Sequence, residues 1–242
     1  MIELTHVYKK KLGHIILDDI SLNIETGKIT GFLGANGAGK TTTLDIIAGC
    51  QSFQSGEVKI GGFSLSHQPI EAKKLCGYLP DKPCLYQNMT TFENLMFAGN
   101  IRGLNSSTCK HRIAQLLETF HLGEVSHTLV SQLSKGFKQR VSIAQAVIHH
   151  PKVLLFDEPT DGLDPTQIAE IRNYMMKLKG EHTILFSSHQ LTEINNICDR
   201  VVIIQKGKIL AHGPREEILS KAQGQPTYQV TVESQGSKLL NI

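Results

Sequence analysis

A glycine-rich stretch near the N-terminus constrains this chain more than any other feature. Residues 34–41 read GANGAGKT; the apolar run KITGFLG (28–34) leads into them, and the helical pattern KTTTLDIIAG (40–49) follows. Glycines let a backbone curl until consecutive N–H groups face one anion, and a helix N-terminus adds its dipole. A strand, this loop and a helix in succession therefore predict a phosphate site.

The loop also carries side chains suited to a nucleotide. Lys40 is placed to reach terminal phosphates, and the hydroxyl of Thr41 is placed to coordinate Mg²⁺. The alternative is a glycine turn that happens to precede Lys-Thr, and the flanking strand and helix disfavour it. The predicted nucleotide-binding residues of the loop are Gly34, Ala35, Asn36, Gly37, Ala38, Gly39, Lys40 and Thr41.

Two further apolar runs end in polar side chains that suit phosphate chemistry. KVLLFDEP (152–159) predicts a buried parallel strand that ends at Asp157 and Glu158, and HTILFSSH (182–189) predicts another. Asp157 can hold Mg²⁺, and Glu158 can act as general base toward the attacking water. The second run ends at His189, which is placed to donate a hydrogen bond to a γ-phosphate. A solvated, purely structural strand end is the alternative for each.

The stretch LSKGFKQR (133–140) opens a helix in an unusual way. Ser134 is a natural N-cap, yet Lys135, Lys138 and Arg140 crowd the first turns, where the helix dipole disfavours cations. The cations predict an anion near this helix start. The apolar face of the helix is predicted from the spacing of Phe137, Val141, Ala144 and Ile148.

The remaining patterns predict one α/β unit with an insertion. Helical patterns at roughly 91–101 and 108–121 place a helical insertion within residues 85–140. The segment 200–213 predicts a hairpin, and the residues after Pro226 alternate like a strand.

Composition limits the partners and the cellular location that this chain can be expected to have. The net charge of +3 gives no argument for a nucleic-acid partner. The five cysteines are scattered and lack a C-x-x-C pair, so we interpret them as reduced thiols rather than as a metal site. The N-terminus lacks the apolar core of a signal peptide, and no stretch approaches about 18 apolar residues. We therefore expect a cytoplasmic protein that contacts a membrane as a peripheral subunit.

Together these motifs give the chain a family resemblance. Over essentially residues 2–220 it resembles the nucleotide-binding subunit of ABC transporters, and the LSKGF signature just before an acidic strand disfavours kinases and GTPases. The matching motifs, in the family's order, are Tyr8, the Walker A loop 34–41, YLPD 78–81, the signature 133–140, the Walker B strand 153–158, DGLD 161–164 and His189.

The resemblance implies an architecture. It is an α/β P-loop NTPase (RecA-like) fold with a mostly parallel core sheet, an N-terminal antiparallel β subdomain and an inserted α-helical subdomain. The whole chain would form a single ABC ATPase domain. Its implied parts are the catalytic core with the β subdomain (1–84 and 141–225), the helical signature subdomain (85–140) and a short C-terminal extension (226–242).

The resemblance also implies the roles of residues within one copy. Tyr8 would stack on adenine, although a half-buried strand tyrosine is the alternative, and Thr42 would add a phosphate contact. The cofactors would be ATP and Mg²⁺. The implied catalytic residues are Lys40, Glu158 and His189, and the implied metal-binding residues are Thr41, Asp157 and Asp81.

Across two copies the family pairs head to tail, so that each ATP lies between one Walker A loop and the partner's signature. The partners would be a second copy or a related ATPase subunit, and an integral-membrane permease. Asp164 would lie at the dimer interface. The residues acting across it would be Ser134, Lys135, Gly136 and Lys138.

Three departures from the common family pattern indicate one particular branch of the family. Lys135 and Phe137 stand where the signature usually has Gly and Gln, Asp81 stands where a Gln is usual, and DGLD replaces Ser-Ala-Leu-Asp. An ionised Asp81 accepts hydrogen bonds and cannot donate to phosphate, so metal ligand and simple loop residue both stay open. The combination resembles the branch with drug and antibiotic exporters; a non-transport ABC ATPase is the alternative.

The membrane contact is expected between Lys82 and Phe97. This segment shows little core periodicity, and ordinary packing within the insertion is the alternative. The candidate contact residues are Leu85, Tyr86, Met89 and Phe92.

Overall fold

The computed structural model describes residues 1–222, which form two β-sheets and flanking helices. The expected strand after Pro226 and the extension 226–242 lie outside the described residues. The strands are β1 (Ile2–Lys11), β2 (His14–Ile24), β3 (Ile29–Leu33), β4 (Ser55–Ile60), β5 (Phe63–Ser64), β6 (Cys76–Leu79), β7 (Val153–Phe156), β8 (Thr183–Ser188), β9 (Arg200–Gln205) and β10 (Lys208–Pro214). The α-helices are α1 (Lys40–Ile47), α2 (Pro69–Lys74), α3 (Thr91–Ile101), α4 (Ser106–Thr119), α5 (Lys135–Val147), α6 (Pro165–Leu178), α7 (Leu191–Ile197) and α8 (Arg215–Ala222).

The larger sheet has six strands in the order β10-β9-β3-β8-β7-β6. Five are parallel, and β10 runs antiparallel to β9 as the predicted hairpin. Every residue of β7 and β8 is buried, which explains their unbroken apolar sequence. Neighbouring residues of β8 enter different core clusters: Ile184 and Phe186 one, Leu185 the other. The sheet therefore lies between the two halves of the core.

The smaller sheet is antiparallel, with the order β2-β1-β4-β5. Its buried face carries Ile2, Val7 and Leu17, which pack in one cluster with Leu44 and Ile46 of α1. The sheet thus covers the helix that follows the glycine loop. The α/β fold class with an N-terminal antiparallel subdomain is confirmed.

The helical insertion contains α3 and α4. The first begins with a capping box between Thr90 and Glu93, and the second begins after the N-cap Asn105. The helix predicted at 108–121 accordingly starts and ends about two residues earlier. The boundary predicted after residue 140 falls inside α5, because Val141 and Val147 continue its apolar face into the core.

Three parallel strands end at the same edge of the larger sheet. The glycine loop follows β3, Asp157 follows β7 and His189 follows β8. Within residues 1–222 no helix has the length and apolar character needed to cross a bilayer. Ligand sites of open α/β sheets lie at this edge, so the fold itself assembles the predicted residues.

Candidate nucleotide site

The loop between β3 and α1 requires glycine at defined positions. Gly37 and Gly39 have φ of +77° and +111°, in the left-handed region that side chains disfavour. A Cβ at Gly34 would lie 2.6 Å from the carbonyl oxygen of Ile204, so the loop also depends on close backbone approach. Because α1 begins at Lys40, its first N–H groups and its dipole face the end of this loop.

Lys40 is held at the centre of the site. Its side chain is 6% exposed, and its Nζ donates to the carbonyl oxygens of Gly34 at 2.8 Å and Ala35 at 3.3 Å. The same Nζ lies 3.2 Å from Oε1 of Glu158. A buried ammonium with these partners is a preformed anion-binding group, and an incoming phosphate would compete with Glu158 for it.

Glu158 adopts a strained backbone conformation at the strand end. Its φ of +47° is left-handed, and its N–H donates to Oγ of Ser187 at 2.9 Å. Oε2 of its carboxylate lies 2.8 Å from Nδ1 of His189. Both carboxylate oxygens therefore have partners, and the lysine, the predicted base and the histidine form one connected group.

Asp157 is completely buried beside this group. Its Oδ1 accepts a hydrogen bond from Ser187 at 2.5 Å, whereas its Oδ2 has no hydrogen-bond partner among residues 1–222. Burial raises the pKa of the Asp157 carboxyl. The hydroxyls of Ser187 and Thr41 oppose this rise, and the charges of Asp81 and Glu158 add to it. A buried carboxylate oxygen without a partner, near further carboxylates, fits a divalent cation.

A cavity of about 540 Å³ opens over these side chains. Lys40, Thr41, Asp81, Glu158 and His189 line it together with much of the glycine loop. Asp81 thus belongs to the same cavity as the Walker residues. The sequence reasoning missed three lining residues, namely Lys11, Ile16 and Asp161. Asp161 opens the DGLD motif, which by itself gave it no role at the site. Lys11 and Ile16 have no motif signature, because their approach depends on how the small sheet packs.

Four of the predicted nucleotide-binding residues, like the predicted metal ligand Asp157, lie around the cavity rather than in its lining. Ala38 is 5% exposed and supports the loop from behind, and Gly34 and Ala35 line a separate apolar cavity behind the loop. Tyr8 is half-buried in β1 opposite Ser55. Its stacking on adenine stays a prediction, and Ile16 is the apolar side chain that the structure places in the cavity wall.

The signature segment lies outside its own chain's cavity. Oγ of Ser134 accepts a hydrogen bond from the N–H of Phe137, which confirms the predicted N-cap. Arg140 lies over the ring of Phe137, 4.6 Å from its centroid, and 3.6 Å from a carboxylate oxygen of Glu170. Phe137 and Arg140 thus have a local structural explanation, whereas Lys135 points toward Gly162 of the DGLD loop.

Two contacts join the signature helix to the loop after Glu158. Nε2 of Gln139 donates to the carbonyl oxygen of Pro159 at 2.7 Å. Gly136 packs against the side chain of Gln167, and the N–H of Gln167 donates to Oδ1 of Asp164 at 2.9 Å. Asp164 is therefore the N-cap of α6 within one chain, and its interface role stays a prediction.

Comparison with known proteins decides the family. The family model described as "ABC transporter" matches residues 17–161, which is more than half of the chain. This chain is an ABC transporter ATP-binding protein. It is 42% identical to the ABC transporter ATP-binding protein NatA of Bacillus subtilis, over 87% of this chain and 86% of NatA. It is 35% identical to the bacitracin transport ATP-binding protein BcrA of Bacillus licheniformis, over 98% of this chain and 76% of BcrA.

Solved structures agree with this assignment. An ATP-binding subunit of an ABC transporter superposes with a TM-score of 0.84 at 30% identity, and covers 92% of this ABC ATPase and 93% of that chain. The dimeric cassette MJ0796 gives a TM-score of 0.81 at 26% identity, with coverage of 89% and 99%. The ABC ATPase thus binds and hydrolyses ATP as the energy-supplying subunit of a transporter.

Sequence reasoning missed one residue of the ABC ATPase that supports this site, Glu193. It is 3% exposed and accepts hydrogen bonds from the hydroxyls of Thr160 and Ser188. Thr160 follows the Walker B carboxylates, and Ser188 precedes His189. Glu193 therefore connects the two loops that hold Glu158, the predicted general base, and His189. A glutamate in the first turn of a short helix looks like a solvated charge in sequence, so no signal revealed it.

Replacing Glu193 by Ala should lower the kcat for ATP hydrolysis about 10- to 100-fold with a much smaller change in KM for ATP. The loss follows because a small displacement of Glu158 relative to His189 affects the transition state more than ATP binding. Steady-state ATPase assays would measure both constants. Glu193→Gln should restore most of the rate, and Glu216→Ala, at a fully exposed glutamate, should leave it unchanged. A rise in KM as large as the fall in kcat would contradict a positioning role for Glu193.

Proposed function

We propose that this ABC ATPase works as a pair that encloses two ATP molecules and drives small-molecule export by a separate membrane subunit. One observation carries the pairing: Lys40, Glu158 and His189 surround one cavity, while Ser134 and Gly136 of the same chain lie outside it. A signature helix start that suits an anion needs a phosphate from another copy. The dimeric cassette MJ0796 among the similar structures supports the pairing.

Within one copy, the side chains divide the work of hydrolysis. Lys40 binds the terminal phosphates, and Thr41 and Asp157, with Asp81 at the cavity wall, would hold Mg²⁺. Bound Mg²⁺ neutralises charge on the phosphate oxygens. Glu158 accepts a proton from the water whose oxygen attacks the γ-phosphorus as the bond to ADP breaks. His189 orients the Glu158 carboxylate and, from the cavity lining, would donate to the γ-phosphate.

Across the pair, the second copy completes the site. Ser134 would offer its hydroxyl and Gly136 its backbone N–H to the γ-phosphate, with Lys135 and Lys138 adding positive charge. Asp164 would stand at the interface beside the facing catalytic loop. The exposure of Ser134 and Lys135 at the start of α5 supports this proposal, whereas Gly136 is buried against Gln167 and would contribute only its backbone N–H.

The export direction rests on the relatives and on the branch-specific motifs. Besides BcrA, the linearmycin resistance ATP-binding protein LnrL of Bacillus subtilis is 34% identical over 96% of this chain. One of these relatives is named for linearmycin resistance and the other for bacitracin transport. Asp81, the LSKGF signature and DGLD indicate the same branch.

A second cavity supports the proposal that this chain binds a membrane partner. It measures about 1000 Å³ and lies between the core and the helical insertion, where Ile70 and Ile101 are 64% and 66% exposed. Pro80 and Cys84 line it, while Asp81 between them lines the nucleotide cavity. One short loop therefore touches both cavities, so a segment of the permease in this groove could sense bound nucleotide.

The structure changes part of the predicted membrane contact. Leu85 is 9% exposed and packs in the core, so it is not available to a partner as first expected, and Phe92 is partly buried against the same cluster. Tyr86 is half exposed, with its ring edge-on to Phe97 at 4.9 Å. The groove beside Pro80–Cys84, with Ile70 and Ile101 at its rim, replaces that segment as the proposed contact.

Replacing Ile101 by Asp should reduce the membrane-bound fraction of the chain about tenfold, because a charge at an apolar contact must be desolvated without a partner. Basal ATPase activity of the purified variant should stay within about twofold of wild type. Sedimentation of washed host membranes, followed by immunoblotting, would measure the fraction. Leu210→Asp, at a 59% exposed leucine on β10, is the matched control.

The same variant tests the export function. Host cells whose sole copy carries Ile101→Asp should show the antibiotic sensitivity of cells that lack the chain, across a panel of peptide antibiotics that includes bacitracin. If Ile101→Asp impairs ATP binding more than membrane association, the groove is not the site of contact with the permease. Unchanged sensitivity in cells that lack the chain would refute export of these compounds while leaving the groove intact.

A further inference from the structure

Two histidines and a glutamate cluster at the edge of the large sheet opposite the nucleotide site. His150 precedes β7, and Glu181 and His182 precede β8, so all three lie near the N-terminal ends of adjacent parallel strands. One ligand atom of each residue lies within 4.8 Å of the others. The cluster has no part in the site described above, which occupies the carboxyl ends of the same strands.

His182 is the fixed member of the cluster. It is 3% exposed, and its Nδ1 lies 2.6 Å from the carbonyl oxygen of Pro151. Because a carbonyl oxygen only accepts, Nδ1 must carry the proton, which leaves the lone pair on Nε2. Metal-binding histidines are typically fixed in this way, by a backbone carbonyl on the nitrogen that does not bind the metal.

The other two members are exposed on loops with fixed backbones. The ring of His150 lies 5.1 Å from that of His182, edge to face, and its backbone is left-handed at φ +53°. The N–H of His150 donates to Val147, and Thr183 donates to Lys152, which ties the two loops together. Glu181 is exposed, so its carboxylate can rotate toward the histidines.

We propose that His150, Glu181 and His182 bind Zn²⁺, with water as the fourth ligand. Two imidazoles and a carboxylate are an established donor set for this ion. Ligand atoms that share one tetrahedral Zn²⁺ lie roughly 3.3 Å apart, a contraction within reach of two exposed side chains. Arg112 is the nearby cation, and its guanidinium is engaged by the carbonyls of Val147 and Ile148. The ion would hold together the starts of β7 and β8.

Co²⁺ is the probe for this site, because four-coordinate Co²⁺ absorbs strongly in the visible and six-coordinate Co²⁺ absorbs weakly. Tag-free, chelator-treated full-length protein should bind one Co²⁺ with the strong spectrum, and Zn²⁺ should displace it. His150→Ala and Glu181→Gln should each lower the affinity roughly tenfold or more, since loss of even an outer partner costs that much. His111→Ala, at an exposed histidine on α4, should bind like wild type.

Two background variants separate this cluster from other metal-binding groups. The strong Co²⁺ absorption should persist in Asp157→Asn, which removes the buried carboxylate of the nucleotide site. It should also persist in Cys50→Ser/Cys84→Ser, which removes both exposed thiols. Absence of the strong spectrum, or its survival in a His150→Ala/Glu181→Gln double variant with unchanged circular dichroism, would overturn the proposal.

Discussion

The Glu158→Gln variant is expected to form a stable dimer in Mg-ATP, doubling the 26.7 kDa mass of the single chain. The amide cannot accept the proton of the attacking water, so hydrolysis should fall about 10²- to 10⁴-fold while ATP stays bound. The amide also gives up the ion pair with Lys40, which frees that ammonium for phosphate. Two uncleaved ATP molecules should then hold the proposed pair together. Multi-angle light scattering with and without ATP would measure the mass.

A second substitution makes this test specific. Adding Ser134→Ala to Glu158→Gln should weaken the dimer without weakening ATP binding by the single chain, since Ser134 lies outside its own cavity. Because Ser134 also caps α5, circular dichroism must show that the helix content is retained. A chain that stays monomeric at saturating ATP would count against composite sites.

Loss of the Lys40 side chain is expected to lower the affinity for ATP strongly. Charge-assisted hydrogen bonds contribute about 1.5–3 kcal/mol each, so Lys40→Ala should weaken ATP binding by roughly 10²-fold or more. The substitution also leaves Glu158 without its ammonium partner in a largely buried position. Isothermal titration calorimetry with ATP would measure the affinity.

The control for Lys40→Ala is Lys208→Ala, which removes an exposed lysine that pairs with Asp18. This change should leave ATP affinity within about twofold of wild type, because exposed ion pairs contribute little. The thermal midpoint of each variant without ATP separates a binding defect from unfolding. Wild-type affinity in a folded Lys40→Ala variant would contradict the role given to this lysine.

Local sequence signals predicted the main elements of the fold well. Glycines at left-handed positions, the N-cap Ser134 and unbroken apolar runs all act through neighbouring residues. Their consequences are therefore readable without a structure. The shared sheet edge follows as well, because parallel strands place their carboxyl ends together.

What the sequence could not predict depends on contacts between distant segments. The Lys40–Glu158 ion pair joins residues 118 positions apart, and Thr160, whose hydroxyl donates to Glu193, comes near it once β8 lies beside β7. Leu85 was misassigned because its burial depends on the packing of the insertion rather than on local periodicity. The stacking of Arg140 on Phe137 also needed side-chain geometry, although the residues are three apart.

Helix α5 connects two different sites in the proposed pair. Its first residue follows Ser134, which would contact the partner's nucleotide. Gln139 donates to the carbonyl oxygen of Pro159, next to Glu158, the proposed general base of its own chain. Five positions along one helix thus separate Ser134, the proposed contact to one ATP, from Gln139, which bonds the loop beside the other ATP. Thermodynamic linkage then requires each nucleotide to change the affinity of the other by the same factor. We expect ATP to fill the two sites cooperatively, and release of product at one site to be felt at the other.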